Sequence, residues 1–156
     1  MNTSQTLRQA TSNSFSGKAF SYAEKRPLVL IAQNADKARA TLKELLDLYD
    51  LKVVEAGSGE EAVDAVVIRR PDLIIVDKHL PGLGSFEAIR LIRSIISLSI
   101  IPIVFLSDYP ERTERCRAFE AGCDEYLVKP LDLDRLDSSL EKFLFQTGVQ
   151  TCRGLK

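Results

Sequence analysis

No stretch of this chain approaches the ~18 consecutive apolar residues that a membrane-spanning helix requires, so a protein anchored by such a helix is not expected. An excess of charge of one sign is also missing. The 21 Lys and Arg stand against 22 Asp and Glu for a net charge of −1, which gives no electrostatic reason to expect nucleic acid or a membrane surface as partner. Cysteine is scarce: Cys116, Cys123 and Cys152 are odd in number and lack CxxC spacing. That excludes a recognisable disulfide framework or zinc motif and leaves reduced intracellular thiols. The sole histidine, His79, reads as an exposed loop residue rather than a metal ligand.

Residues Met1 to Arg26 lack an apolar h-region, so they are not a secretory signal. They are rich in Ser, Thr, Asn and Gln and carry Arg8, Lys18, Lys25 and Arg26 against Glu24 alone, the composition of a disordered tail. Ser-rich, acid-poor leaders also occur as organelle transit peptides, which is the alternative to a cytoplasmic location. The expected organisation is a tail over 1–26, one domain over 27–145 and a second, frayed tail over 146–156. A length of 156 residues with 45% hydrophobic content suits one core and not two.

From Pro27 onward short apolar runs alternate with helical patterns, which predicts an α/β fold with a parallel sheet. Val29 to Ala32, Lys52 to Ala56, Asp72 to Asp77, Ile101 to Leu106 and Asp124 to Val128 read as five strands. The third is apolar on both faces, as a central strand covered by helices should be. Between and after them lie five helical patterns. Asp36 to Tyr49 sets Ala38, Leu42, Leu45, Leu46 and Tyr49 on one face, and Glu60 to Arg69 starts after a capping Ser58 and stops before Pro71. Ser85 to Ser97 turns Ile89, Ile92 and Ile96 inward. Glu111 to Ala121, preceded by Pro110 and closed by Gly122, is the most polar, with only Cys116 and Phe119 as a buried stripe. Asp132 to Phe145 presents Leu133, Leu136, Leu140 and Phe143.

Polar groups close three of the apolar runs: Asp77, Ser107 and Lys129. In an open parallel sheet, ligands sit in the crevice outside the carboxyl ends of the strands, so these three side chains should converge on one site. Phosphoryl transfer needs an accessible nucleophilic carboxylate and strong charge neutralisation. Asp77 at an exposed strand tip supplies the nucleophile. Lys129 supplies a point charge, and Ser107 can hydrogen-bond a phosphoryl oxygen. The plainer readings are a static Asp77–Lys129 ion pair and a Ser107 that caps the next helix.

From about Leu28 to Leu144 the chain resembles the receiver domain of bacterial two-component response regulators. Asp77 with Leu80-Pro81 looks like the phospho-acceptor loop, and Glu87 sits at that motif's downstream acid. Phe105-Leu106-Ser107 looks like the strand ending in the switch Ser or Thr, and Ala121-Gly122-Cys123-Asp124-Glu125-Tyr126-Leu127-Val128-Lys129-Pro130 is close to the family's AGADDYLxKP signature, with Tyr126 at the aromatic switch position. The resemblance implies a flavodoxin-like, doubly wound sheet in the order 2-1-3-4-5 and phosphorelay signalling rather than enzymatic turnover. It implies as partners a sensor kinase or phosphotransfer protein and a downstream target. It also implies a face on the fourth helix, fifth strand and fifth helix for output or for a homodimer.

Two adjacent positions depart from that pattern. The family's acidic pair falls on Gln33 and Asn34, neither of them a carboxylate. In the family this pair holds Mg2+ together with the acceptor aspartate and a backbone carbonyl, here that of His79. Mg2+ is a hard cation that prefers anionic oxygens, so its binding at Asp77, the His79 carbonyl and Asn34 is expected to be weak or absent. Asp36, in the first helical turn, complements the helix dipole instead. Two readings follow: a phosphorylatable single-domain regulator, or a pseudo-receiver that binds its partner without phosphorylation. A haloacid-dehalogenase-type phosphatase also uses Asp, Ser and Lys at strand ends, but it places the Asp on the first strand in a DxD pattern, whereas here the strand is third and position 79 is His. Too little chain follows Phe145 for a helix-turn-helix, so output is expected through protein binding.

Overall fold

The computed structural model describes residues 26–145. The expectations for the two tails, Cys152 among them, lie outside the described residues. The elements run β1 (Leu28–Ala32), α1 (Asp36–Asp47), β2 (Lys52–Ala56), α2 (Gly59–Arg69), β3 (Leu73–Asp77), α3 (Ser85–Ser94), β4 (Ile103–Ser107), α4 (Arg112–Ala121), β5 (Glu125–Val128) and α5 (Leu133–Leu140). A short 3-10 turn (Ile96–Leu98) follows α3, and a π-helical turn (Glu141–Phe145) extends α5. All strand pairs are parallel and the sheet order is β2-β1-β3-β4-β5, the doubly wound order that the family resemblance implies.

Strand periodicity divides the core in two, because successive side chains point to opposite faces. Leu30, Ile74, Val76, Ile103, Phe105 and Tyr126 pack on one face with Val66, Ile89, Ile92 and Ala118 of α2, α3 and α4. Val29, Ile31, Leu73, Ile75, Val104, Leu106 and Leu127 pack on the other with Leu42 and Leu46 of α1 and Leu136 and Leu140 of α5. Each fully buried Leu, Ile or Val contributes on the order of 1.5–3 kcal/mol, so β3 and β4, buried at every residue, form the backbone of the fold. No helix among the described residues is long and apolar enough to cross a membrane.

Capping chemistry mostly follows the sequence. Ser58 Oγ accepts from the Glu61 N–H at 3.2 Å, and Gly122 closes α4 at φ 126°, where a side chain would be strained. Its N–H donates to the carbonyls of Ala118 and Phe119. A Cβ there would also lie 2.6 Å from Arg93 Cγ. Arg93 runs past this glycine and donates to the carbonyls of Gly122 (2.8 Å) and Ile101 (2.7 Å) and to Asp124 Oδ2 (2.8 Å), which ties α3 to both ends of the loops around β4 and β5.

Helical faces differ from the expected ones at four places. α3 stops at Ser94 because Ile95 turns extended (φ −92°, ψ 114°), so Ile96 leaves the helical period and is 89% exposed, while Leu98 turns inward. In α4 the sheet-facing positions are Glu114, Ala118 and Ala121, whereas Cys116 and Phe119 are exposed. Small residues let this helix approach the sheet, which the search for bulky apolar side chains passes over. Leu133 in α5 and Ala38 in α1 also face solvent, leaving Leu136, Leu140, Leu42 and Leu46 to carry their helices. Cys123 is buried, and burial pushes its thiol up to about 12.

Candidate functional site

The carboxyl end of the sheet gathers the expected residues, held by backbone hydrogen bonds between neighbouring strand tips: Lys78 N–H to Leu106 O and Lys129 N–H to Ser107 O. Asp77 ends β3, and its side chain is 3% exposed, less open than a strand-tip carboxylate was expected to be. Lys129 covers it. The ammonium pairs with Asp77 Oδ1 and lies 3.3 Å from Asp108 Oδ1. On the opposite side the His79 N–H donates to Asp77 Oδ2 at 2.9 Å and so sets the carboxylate plane. Burial works against the Lys129 ammonium, but Asp77 and Asp108 outweigh it and hold the lysine above its usual value.

Gln33, not Asn34, is the residue at the tip of β1 that reaches the acceptor. Its Nε2 donates to Asp77 Oδ1 at 3.2 Å, whereas Asn34 is exposed and offers its carbonyl to Arg39. Gln33 Oε1 is then buried with no hydrogen-bond partner among the described residues, a placement that costs on the order of 1–3 kcal/mol unless something donates to it or binds it. Asp36 does not turn to the site. It pairs with Arg39 at 2.6 Å, and Arg39 also clamps Glu55 and the Gln33 carbonyl.

Two carboxylates were not anticipated from the sequence. Asp108, directly after Ser107, pairs with the His79 ring and with Lys129, and both interactions outweigh burial to hold it below the usual carboxylate range. Its position beside a strand-end serine was the available signal. Glu114, on the most polar helix, is 5% exposed. Burial opposes its ionisation, but Lys78 at 2.5 Å and the hydroxyls of Ser107 and Tyr126 hold it below the ordinary glutamate value. Tyr126 O–H donates to Glu114 Oε1 at 2.6 Å, and its ring stacks on Phe105, itself stacked on Phe86. Ser107 is fully buried; its hydroxyl hydrogen-bonds Glu114 Oε1 and lies 3.0 Å from Tyr109 O. The structure therefore unites Asp77 with Lys129, while the Ser107 and Tyr126 hydroxyls meet instead at Glu114.

Beside a hard cation the side-chain oxygens at hand would be those of Asp77 and Gln33 Oε1. These are oxygens of the right kind, but only one is anionic and Lys129 already neutralises it. No group of three or more His, Cys, Asp or Glu among the described residues is arranged to hold a metal ion.

The sequence model of the response regulator receiver domain matches residues 29–141. The chain is 37% identical over 114 residues to the transcriptional regulatory protein PdtaR of Mycobacterium tuberculosis, covering 72% of this chain and 54% of that one. It is 33% identical over 118 residues to the transcriptional regulatory protein AfsQ1 of Streptomyces coelicolor, covering 76% and 51%. It thus spans about half the length of these relatives. Among solved structures, the signal receiver domain of a signal transduction histidine kinase from Syntrophus aciditrophicus superposes with a TM-score of 0.71 at 26% identity, over 78% of this chain and 92% of that one. The receiver domain of the sensor histidine kinase PA1611 from Pseudomonas aeruginosa, which has a magnesium ion coordinated in its active site cleft, shares the fold with a TM-score of 0.71 at 24% identity, over 76% and 97%.

Proposed function

Because this chain belongs to the response regulator receiver family, we propose that Asp77 accepts a phosphoryl group from a sensor kinase or phosphotransfer protein and that the outcome is read by a protein partner. The observation that carries this reading is the Asp77 carboxylate at the end of β3 with Lys129 on one oxygen and the His79 N–H on the other. A carboxylate oxygen of Asp77 attacks phosphorus, the bond from phosphorus to the donor's leaving atom breaks, and the leaving group departs with that electron pair. Lys129 balances charge on the transferred oxygens. Lys129 carries that burden largely alone, and Mg2+ is held weakly if at all. This is a signalling event and not turnover of a substrate.

A second reading is favoured by Glu114. Its carboxylate engages the two hydroxyls at the switch positions, Ser107 and Tyr126. On that reading the domain is preset and binds its partner without phosphorylation. One experiment separates the two. Incubation with acetyl phosphate followed by intact-mass analysis should add one phosphoryl group to the wild type and none to Asp77→Asn. No shift in either protein favours the preset binding module, and a shift retained in the variant means that the acceptor lies elsewhere.

A further inference from the structure

At the amino ends of the strands, opposite the acceptor corner, the layer of α2 and α3 leaves apolar side chains exposed to solvent. Ile68 in the last turn of α2 is 76% exposed, and Ile96 and Ile100 in the segment after α3 are 89% and 86% exposed. Val67 and Leu91 of the same two helices are partly so. Exposed apolar residues are ordinary when scattered. These are gathered, because α2 and α3 pack together on one face of a parallel sheet and both run back to the end where the next strand begins. The start of β1 lies at that same end. The Leu28 N–H donates to Asp72 Oδ2 at 2.8 Å, the Asp72 N–H donates to the Leu28 carbonyl at 2.7 Å, and the Ile74 N–H donates to the Pro102 carbonyl at 3.0 Å. Asp72 follows α2 directly after Arg70-Pro71, and Pro102 follows Ile100-Ile101. With neighbouring strands ~4.8 Å apart, the chain before β1 leaves the sheet about one strand spacing from the end of α2 and about two from the Ile100 segment.

We propose that residues 15–22 of this chain fold back over this face, with Phe15, Phe20 and Tyr22 against Ile68, Ile96 and Ile100. These three are the only aromatic residues among residues 1–25, and they stand together in an otherwise polar stretch. Each aromatic side chain buries on the order of 150–250 Å², which gives this short segment an apolar gain that Ser, Thr, Asn and Gln do not supply. Reach is ample: Tyr22 and Phe15 lie four and eleven residues before Arg26, and an extended chain spans up to ~3.4 Å per residue. Charge agrees with the placement. Exposed Asp64 shares one side of α2 with Val67 and Ile68, where it meets Lys18, and Glu24 comes within reach of the exposed Arg69 and Arg70. A second copy is a poorer occupant, because a two-fold contact sets the same patch on itself and brings Arg69 and Arg70 against their like. Residues 146–156 contain no aromatic side chain and follow α5, which packs on the opposite face of the sheet. A tethered segment is also present at a high effective concentration, and docked here it leaves the crevice at Asp77 open.

The test uses the full chain and brief digestion with chymotrypsin, which cuts after Phe and Tyr in undocked segments, followed by intact-mass analysis. Cleavage after Phe15, Phe20 and Tyr22 should be faster on the order of tenfold in the combined variant Ile68→Ser, Ile96→Ser, Ile100→Ser than in the wild type, since proteolysis follows the open population. That variant alters only exposed side chains and should keep its melting temperature within a few degrees. A second variant, Phe15→Ser, Phe20→Ser, Tyr22→Ser, leaves the face itself untouched. In 15N NMR of the full chain it should shift the amides of Ile68, Leu91, Ile96 and Ile100 and leave those of α1 and α5 in place. Equal cleavage in wild type and the isoleucine variant overturns the proposal, as does a second variant whose amides on this face do not move. Protection of the wild type that is lost on dilution also overturns it, by making a second copy the occupant. Protection that arises only when phosphatidylglycerol vesicles are added does the same, by making the face a lipid contact.

Discussion

Asp77 and Glu114 are both buried carboxylates paired to a lysine, yet they sit in opposite circumstances. Asp77 faces an ammonium, one backbone N–H and an amide whose own oxygen is orphaned. Glu114 has an ammonium and two hydroxyls, all converging on it. A buried charge is tolerated in proportion to the donors around it, and each acid has three; the corners differ in that only the one at Asp77 leaves a buried neighbouring oxygen, Gln33 Oε1, without a donor. The Asp77 corner keeps a lysine that a second carboxylate, Asp108, can share. The contrast shows how one sheet edge can hold a structural acid beside an acid left available for chemistry.

The strongest way to break this comparison is to delete each acid. Glu114→Ala removes the carboxylate shared by Lys78 and two buried hydroxyls, which are left with the Tyr109 carbonyl alone, and should cost about 2 kcal/mol in urea unfolding. Asp77→Ala should cost less than about 1 kcal/mol, because Lys129 retains Asp108. Equal losses would mean that the two corners are satisfied alike. Next in size is the metal. Gln33→Asp with Asn34→Asp restores two carboxylates, and Mg2+ affinity by calorimetric titration should rise on the order of tenfold or more. The same change should lower stability without metal through repulsion around Asp77. Unchanged affinity would show that charge is not what limits the site.

The smallest effect is in pH. Glu114 titrates below its unfolded value of 4.5, so its ionisation contributes stability that is fully present above that value and lost as pH falls through its lower folded value. Glu114→Gln should flatten the acid limb of stability measured from pH 5 downward, while Asp77→Asn serves as the comparison. Identical limbs in wild type and Glu114→Gln would place the acid sensitivity elsewhere.

The strands and the Asp77–Lys129 pair were legible in the sequence because apolar runs of strand length ending in polar residues leave few alternatives, whereas the strand order came from the resemblance to the receiver family. The parts that were not legible share a cause. Ile96 and Phe119 obey a helical period that the chain abandons or turns outward, and periodicity alone does not report where a helix breaks. The burial of Glu114 is not legible because charge is the usual mark of exposure, and a buried acid is recognised only once its donors are known: Lys78 from the loop after β3, Ser107 from β4 and Tyr126 from β5. That Gln33 rather than Asn34 reaches Asp77 was not legible either, because adjacent residues at a strand tip point in opposite directions and the sequence does not say which one turns inward.

Arg93 gives α4 a mechanical character. Its guanidinium and stem grip the Gly122 end of the helix, Ile101 and Asp124 together, so that end is a fulcrum, and the Arg112 end lies ten residues or about 15 Å away. A tilt of about 10° around the fulcrum would carry the far end through roughly 2.6 Å on that helix length. Exchanging one hydrogen bond at Ser107 or Tyr126 needs a movement of that scale. The helix is thus a lever whose short, gripped end lies away from the acceptor and whose long arm ends beside it.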